Sequence, residues 1–467
     1  MAKIKEISEP ALFSDMFPHT MPPHIVFEGP IQEEMDGQTY TIHPSEVKSR
    51  DICITDTTFR DGQQARPPYT VAQIYELFDL LSRLSGPHGV IRQTEFFLYS
   101  NKDREAVQKC MERGYRYPEI TGWIRADAGD LKLVESLGLK ETGILTSCSD
   151  YHVFMKLKLD RKKAFDRYTG LVKAALSKGI RPRCHLEDIT RADIDGFVLP
   201  YVEELMRISE EVDERLKVKI RLCDTMGFGI SYPGVRLPRS VPKLVLTMLH
   251  KAGVPPERME WHGHNDFHKV LINGTTAWLY GANALNCTLI GIGERTGNPP
   301  LEGAIMEYIA LKGSMSCIDT TIISEIASFY RSIGTKIPIS HPFVGDNFHK
   351  TSAGIHADGL SRDERIYNIF DTGVLLNRPP EVVITDKSGT DGVHLWVNNF
   401  LGLKGKGKIK KTKLVKIMKW VSDQYESECR LTSISDREMA DLVRMYLLEE
   451  YKKAELEGRL IYTHHED

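Results

Sequence analysis

The sequence predicts an α/β protein: a closed (β/α)8 barrel followed by a smaller, mainly helical domain. Three observations carry this. Short β-branched runs alternate with helical patterns from about residue 50 to about residue 310, the rhythm of βα units and a parallel sheet. Eight such units occupy about 260 residues, the span of a closed barrel. The turn after the first strand reads DTTFRDGQQ, without the glycine-rich phosphate loop that an open doubly wound sheet usually carries there.

Residues 1–48 come before the rhythm. They are rich in Pro, His and Glu and show no period, so an irregular extension is expected there, wrapped on the barrel or on a partner subunit. The strands are expected at Asp51–Thr57, Val90–Phe97, Glu119–Ile124, Leu139–Thr146, Ile180–Glu187, Lys217–Asp224, Arg258–Gly263 and Ala284–Gly291. The first intervening helix shows the logic. Val71, Ile74, Leu77, Phe78, Leu81 and Leu84 recur at helical spacing, and Gly86-Pro87 ends the run. The β rhythm fades after about Ala310. A helix over Ile322–Ile333 leads into IPISHPFVGDNFHKTSAGIHADG, and helical patterns continue to an acidic, His-containing tail. The expected organisation is an extension over 1–48, a barrel over 49–322 and a helical domain over 323–467. The six lysines between Lys404 and Lys413 read as a solvated loop, or more sharply as a phosphate contact for a coenzyme.

A chain of 467 residues is too long for one ordinary core, which suits a barrel plus an appended domain. The formal net charge of −3 argues against a dedicated nucleic-acid or membrane-surface protein. The eight cysteines form no CxxC pair or closely spaced framework, so reduced thiols in a cytoplasmic protein are expected. The opening MAKIKEISEP has no apolar signal core, and no apolar run approaches the ~20 residues that span a bilayer.

Function in such a barrel gathers at the C-terminal ends of the strands, and the polar residues fall there. Asp56 ends the first strand and Arg60-Asp61 follow it. The second carries Glu95, the third ends near Arg125, the fifth in His185-Leu-Glu187-Asp188, the sixth in Asp224-Thr225 and the seventh in His262-Gly-His264. The eighth runs into GIGERTGN with Glu294 and Asn298. The HxH pair is the sharpest signal. Residues two apart on a strand share a face, so His262 and His264 can aim two imidazoles at one point. Asp61 can add negative charge from across the mouth. Two imidazoles with oxygen ligands suit Mn²⁺, Zn²⁺, Co²⁺ or Mg²⁺. Arg60 suits an oxyanion or carboxylate at that cation, or a salt bridge across the mouth. Arg125 offers a second cation for a carboxylate, or a surface ion pair. Glu187 reads as a base, a proton relay or a partner for Arg191.

DTTFRDGQQ, HGHND, GIGERTGN and TSAGIHADG, in this order, resemble the metal-dependent Claisen-condensing TIM-barrel enzymes of the isopropylmalate synthase and homocitrate synthase family. The resemblance covers roughly residues 50–390. It implies that Asp61, His262 and His264 bind a divalent metal, Mn²⁺ foremost, with Asn298 nearby or as a further ligand. It implies that Arg60 contacts the ketone oxygen or carboxylate of a 2-oxo acid, and that Glu187 and Thr225 match the strand-five and strand-six motifs. Gln64 matches the last residue of the first motif, and Arg125 resembles a position that holds a distal carboxylate. His356 matches a catalytic histidine delivered by a neighbouring subunit, hence a homodimer. Phe59 and Gln63 depart from the first motif, and QTEFFLYS departs from the usual second strand, so the substrate pocket differs from that of an ordinary isopropylmalate synthase.

The implied reaction joins acetyl-CoA to a 2-oxo acid and then hydrolyses the thioester. Arg125 and the polar second strand, with Glu95, favour an acid with a second carboxylate, oxaloacetate or 2-oxoglutarate. The altered first motif, long extension and short C-terminus resemble the branch that condenses acetyl-CoA with oxaloacetate from the face opposite to that used by ordinary citrate synthase. Homocitrate, citramalate and isopropylmalate synthesis are the alternatives. A lyase on this barrel would want a cysteine in GIGERTGN, and a carboxyltransferase a lysine at a strand end. A non-catalytic metabolite-binding subunit would keep the metal and release no thiol.

Overall fold

A computed structural model describes residues 4–403 and 405–461. The chain folds as two compact units. One holds the described residues up to Phe17 together with Met21–Ile333; the other holds Pro18–Thr20 and the described residues from Gly334 onward. The division after Ile333 moves the expected boundary at 322/323. The physical reason is the helix Ile322–Ser332, which packs on the helix Val71–Ser85 through a two-pronged Arg83–Glu325 pair and meets the segment just before that helix in a 2.7 Å Tyr69–Tyr330 hydroxyl contact. It therefore belongs to the barrel unit.

The extension, expected to be irregular, holds a regular element. β1 (Ile31–Met35) and β2 (Gln38–Ile42) form an antiparallel hairpin. Its turn, Asp36-Gly37, has φ of 53° and 74°, the left-handed pair that such a two-residue turn requires. The hairpin lies on the helix Val241–His250, where Thr247 meets the Met35 sulfur at 3.3 Å.

The barrel strands are β3 (Cys53–Asp56), β4 (Ile91–Phe96), β5 (Glu119–Arg125), β6 (Glu141–Ser147), β7 (Arg181–Glu187), β8 (Lys219–Asp224), β9 (Met259–Gly263) and β10 (Ala284–Cys287). They pair in parallel and in chain order, and β10 closes on β3. All eight expected strands are present, so this is the (β/α)8 barrel. The eighth is shorter than its expected reach to Gly291. After Cys287 the chain turns through a 3-10 segment, with Ile290 at φ 56°, a conformation rare for a β-branched residue. The Glu302 carboxylate accepts the Ile290 N–H and the Thr58 hydroxyl accepts that of Leu289, which fixes the turn.

The outward residues of the strands and the inner faces of the helices make the apolar core, with Trp261, Trp278 and Phe78 fully buried. The bore itself is charged. Glu95, Glu141 and Glu260 interleave there with Arg183 and Arg221, all 5% exposed or less.

The second unit is mainly helical. Its longest helices are Gly389–Phe400, Val415–Glu426 and Asp436–Tyr446, which close on Val393, Val397, Leu414, Ile417 and Met439. A two-residue parallel pair, β11 (Lys350–Thr351) with β12 (Glu381–Val382), sits beside them. In the basic run, Lys411 pairs with Asp391 and Lys413 with Glu450. Lys404, the side chain of Lys406 and the tail after Ile461 lie outside the described residues. Among the described residues no helix is long and apolar enough to cross a membrane. The cysteines are all unpaired, six of them buried.

Candidate active site

Three donors converge at the C-terminal mouth of the barrel. Asp61 follows β3, and His262 and His264 flank Gly263 at the end of β9. Each offers an atom within 4.8 Å of the others. The Asp61 Oδ2 atom is 3.5 Å from His262 Nε2 and 3.7 Å from His264 Nε2. All three are buried. Burial would raise the Asp61 carboxyl, but Arg60 and the two imidazoles outweigh it and hold it at about 2. Burial and the neighbouring imidazole lower His262 to about 3, and burial lowers His264 as well. At neutral pH the site therefore presents one carboxylate and two neutral imidazoles, the protonation state that a divalent cation needs.

A second layer orients these donors. Asn286 on β10 meets His262 Nδ1 at 2.8 Å through its Oδ1, so that nitrogen donates and Nε2 keeps its lone pair toward Asp61. The Asn286 amide in turn donates to Thr55 at 2.9 Å. Asn298 donates to Asp61 Oδ2 at 2.9 Å, while its own oxygen is buried without a partner. An orphaned acceptor beside a carboxylate and two imidazoles fits a cation. Gly293 makes room for it, since an added Cβ there would lie 1.8 Å from Asn298 Oδ1.

Arg60 sits beside this group, 3.5 Å from Asp61 and over the Trp123 ring at 5.5 Å. Its Nε donates to Glu95 at 3.0 Å. Glu95 was expected to stand open to a substrate, and it does not. It is 1% exposed, and Arg60, Arg183 and Arg221 already occupy both of its oxygens. Its inward position on β4 puts it one layer too deep, where it anchors Arg60.

Glu187 ends β7 at the rim. Its partners are Lys156, at 2.8 Å, the Ser147 hydroxyl and His152, whose Nδ1 lies 2.9 Å away. Arg191, the expected structural partner, pairs instead with Asp188 at 2.8 Å. Burial would raise Glu187, but His152 and Lys156 reverse that and hold it at about 2. The hydroxyl of Thr225 accepts the Asp188 N–H at 2.9 Å, and Gln64 is exposed on the short turn Gly62–Ala65. Arg125 does not face the site as an open cation. Asp130 grips it at 2.8 and 2.9 Å and its side chain is 64% exposed, because β5 carries it past the rim. His356 lies in the second unit, on the helix Gly354–Arg362, with its ring 4.2 Å from that of Tyr367.

Asn286, His152 and His185 were missed from the sequence. Asn286 is a lone amide inside an apolar strand, a visible but weak signal. His152 lies beyond the strand end, in the πhelical turn Tyr151–Lys156, and His185 was read as part of a polar strand end without a role of its own.

Residues 51–329 match the model of the HMGL-like family. The citrate (Re)-synthase of Syntrophus aciditrophicus strain SB is 54% identical over 96% of this chain and 69% of its own length. That of Clostridium kluyveri is 48% identical over 97% of both chains. The 2-phosphinomethylmalate synthase of Streptomyces hygroscopicus is 34% identical over 94% of this chain and 97% of its own.

Proposed function

The chain belongs to the HMGL-like family, and from that premise we propose that it is a metal-dependent acyltransferase joining acetyl-CoA to oxaloacetate, with thioester hydrolysis giving citrate. One observation carries the reading: almost the whole chain is about half identical to two citrate (Re)-synthases.

Asp61, His262 and His264, with Asn298 beside them, would hold a divalent cation, Mn²⁺ in our assignment. When bound, such an ion is a Lewis acid for the oxygen of the attacked ketone. Arg60 is suited to grip oxaloacetate there. Its guanidinium is fixed by Glu95 and Trp123 before the substrate arrives, so little reorganisation is needed as charge develops. Gln64 and Thr225 complete the lining in this reading. Arg125, engaged by Asp130, takes no part.

The methyl group of acetyl-CoA must lose a proton. Glu187, held at about 2, is a weak base at neutral pH. We assign it as a fixed negative charge that orients the base, and we assign the base to His356, supplied by the second subunit of a homodimer. The eight unpaired cysteines accord with a cytoplasmic setting.

The test is release of free thiol from acetyl-CoA with oxaloacetate, 2-oxoglutarate, pyruvate or 2-oxoisovalerate. We expect turnover with oxaloacetate, loss of it after chelation and its return with Mn²⁺. Thiol release with another acceptor and none with oxaloacetate would refute the assignment.

A further inference from the structure

β7 sends Arg183, His185 and Glu187 into the bore, each one layer nearer the mouth. Arg183 belongs to the charged layer and Glu187 to the rim. His185 lies between them. It is 2% exposed, and its Nε2 lies 3.4 Å from Glu95 Oε2, on the same carboxylate that holds Arg60 at 3.0 Å.

The ring covers Gly143 of the neighbouring strand β6. A Cβ at position 143 would come within 2.5 Å of His185 Nε2 and 2.8 Å of Glu95 Oε2. The glycine is thus the space into which the imidazole packs. Burial, aided by Arg221, keeps the ring neutral. Nε2 makes no well-formed hydrogen bond, and a buried polar atom left in that state costs stability. An apolar side chain would fill the same space without that cost.

We propose that His185 is a specificity-determining residue: it is the floor of the substrate pocket beneath Arg60, and it sets a depth that admits a 2-oxo dicarboxylate of oxaloacetate's length and rejects one a carbon longer. This rests on the acyltransferase reading given above. The chain of contacts from His185 through Glu95 to Arg60 ties the floor to the group that grips the acid. Shortening the side chain opens the layer between the rim and the charged bore. One methylene in a closed pocket is worth roughly 10–200-fold in discrimination.

The experiment compares kcat/KM for oxaloacetate and 2-oxoglutarate in the wild-type enzyme, His185→Ala, His185→Ser and His185→Ala combined with Gly143→Ala, with bound metal and Tm measured for each. We expect the ratio of 2-oxoglutarate to oxaloacetate to rise at least 10-fold in whichever single variant folds, with metal content unchanged. We expect it to fall back in the double variant, whose new methyl returns to the vacated space. Equal losses on both acids, with the ratio fixed, would overturn the inference and leave the function standing. A wild-type enzyme inert toward oxaloacetate would overturn both.

Discussion

At the residue scale, the metal donors are specified by what surrounds them. His262 offers Nε2 because Asn286 takes the proton on Nδ1, and such outer partners typically contribute 10- to 100-fold in metal affinity. Asn286→Leu should therefore weaken Mn²⁺ binding by about that factor, read by titration of the metal-free protein, while the barrel still folds. Unchanged affinity would mean that Asn286 does not set the tautomer. Asp61→Asn and His262→Ala should lose metal and turnover together. His356→Ala separates chemistry from binding: it should keep metal and oxaloacetate binding while thiol release drops by at least 100-fold. Near-normal turnover in that variant would remove His356 as the base.

At the element scale, the loop after β10 shows why glycine spacing carries function. GIGERTGN folds back on itself so that Asn298 reaches Asp61, and Gly293 is where the two arms touch. Gly293→Ala places a methyl where the Asn298 oxygen sits. Asn298 should swing away and metal affinity fall several-fold, with a shift in Tm of no more than a few degrees because the loop lies outside the strands; metal titration and thermal melts on one preparation would show both. The loop also marks what was legible in the sequence. The eight strands and the HxH pair follow from period and spacing, since parallel barrel strands are short apolar runs whose polar residues collect at one end. The hairpin Ile31–Ile42 was missed because its strands, IQEEM and QTYTI, alternate too weakly to outweigh the Pro-rich context, although Asp36-Gly37 gave the turn. Glu95 and Arg125 were misplaced for a different reason. A strand end known to within two residues does not tell which inward layer a side chain occupies, and one layer separates a buried anchor from an exposed ion pair. Partners distant in sequence, such as Asn286 for His262 or His152 for Glu187, follow from the closure of the barrel and from no local pattern.

At the scale of the whole molecule, the charged bore sets how the fold answers to acid. Burial by itself would raise Glu95, Glu141 and Glu260. The guanidinium and ammonium groups around them reverse this, holding Glu260 at about 2 and the other two below the usual carboxylate range. In the unfolded chain these groups titrate near 4.5. Between the two values the unfolded chain binds more protons than the native barrel, so stability is fully present above about pH 4.5 and falls as pH drops toward 2. For Glu260 alone the shift corresponds to about 3 kcal/mol. Two opposing sets act between about pH 4 and 6. Burial raises Asp56 and Asp224 to about 6, so the stability they contribute in acid is lost as pH rises. His185 and His262, lowered by burial to about 3, and His264, lowered by burial as well, add stability as pH rises to their unfolded value of 6.5. Two drops of about 3.5, with that of His264 beside them, outweigh two rises of about 2, each at about 1.4 kcal/mol per unit. The metal-free protein should therefore show a urea midpoint that rises from pH 5 to about 6.5 and a steep fall below 4.5. Glu260→Gln should lower the midpoint at neutral pH by leaving Arg221 without its closest counter-charge, at a cost of about 3–5 kcal/mol. The same variant should blunt the acid limb, because one of the protons that drives it is gone. A midpoint that holds level down to pH 3 would mean that these carboxylates are not ionised against their arginines in the bore.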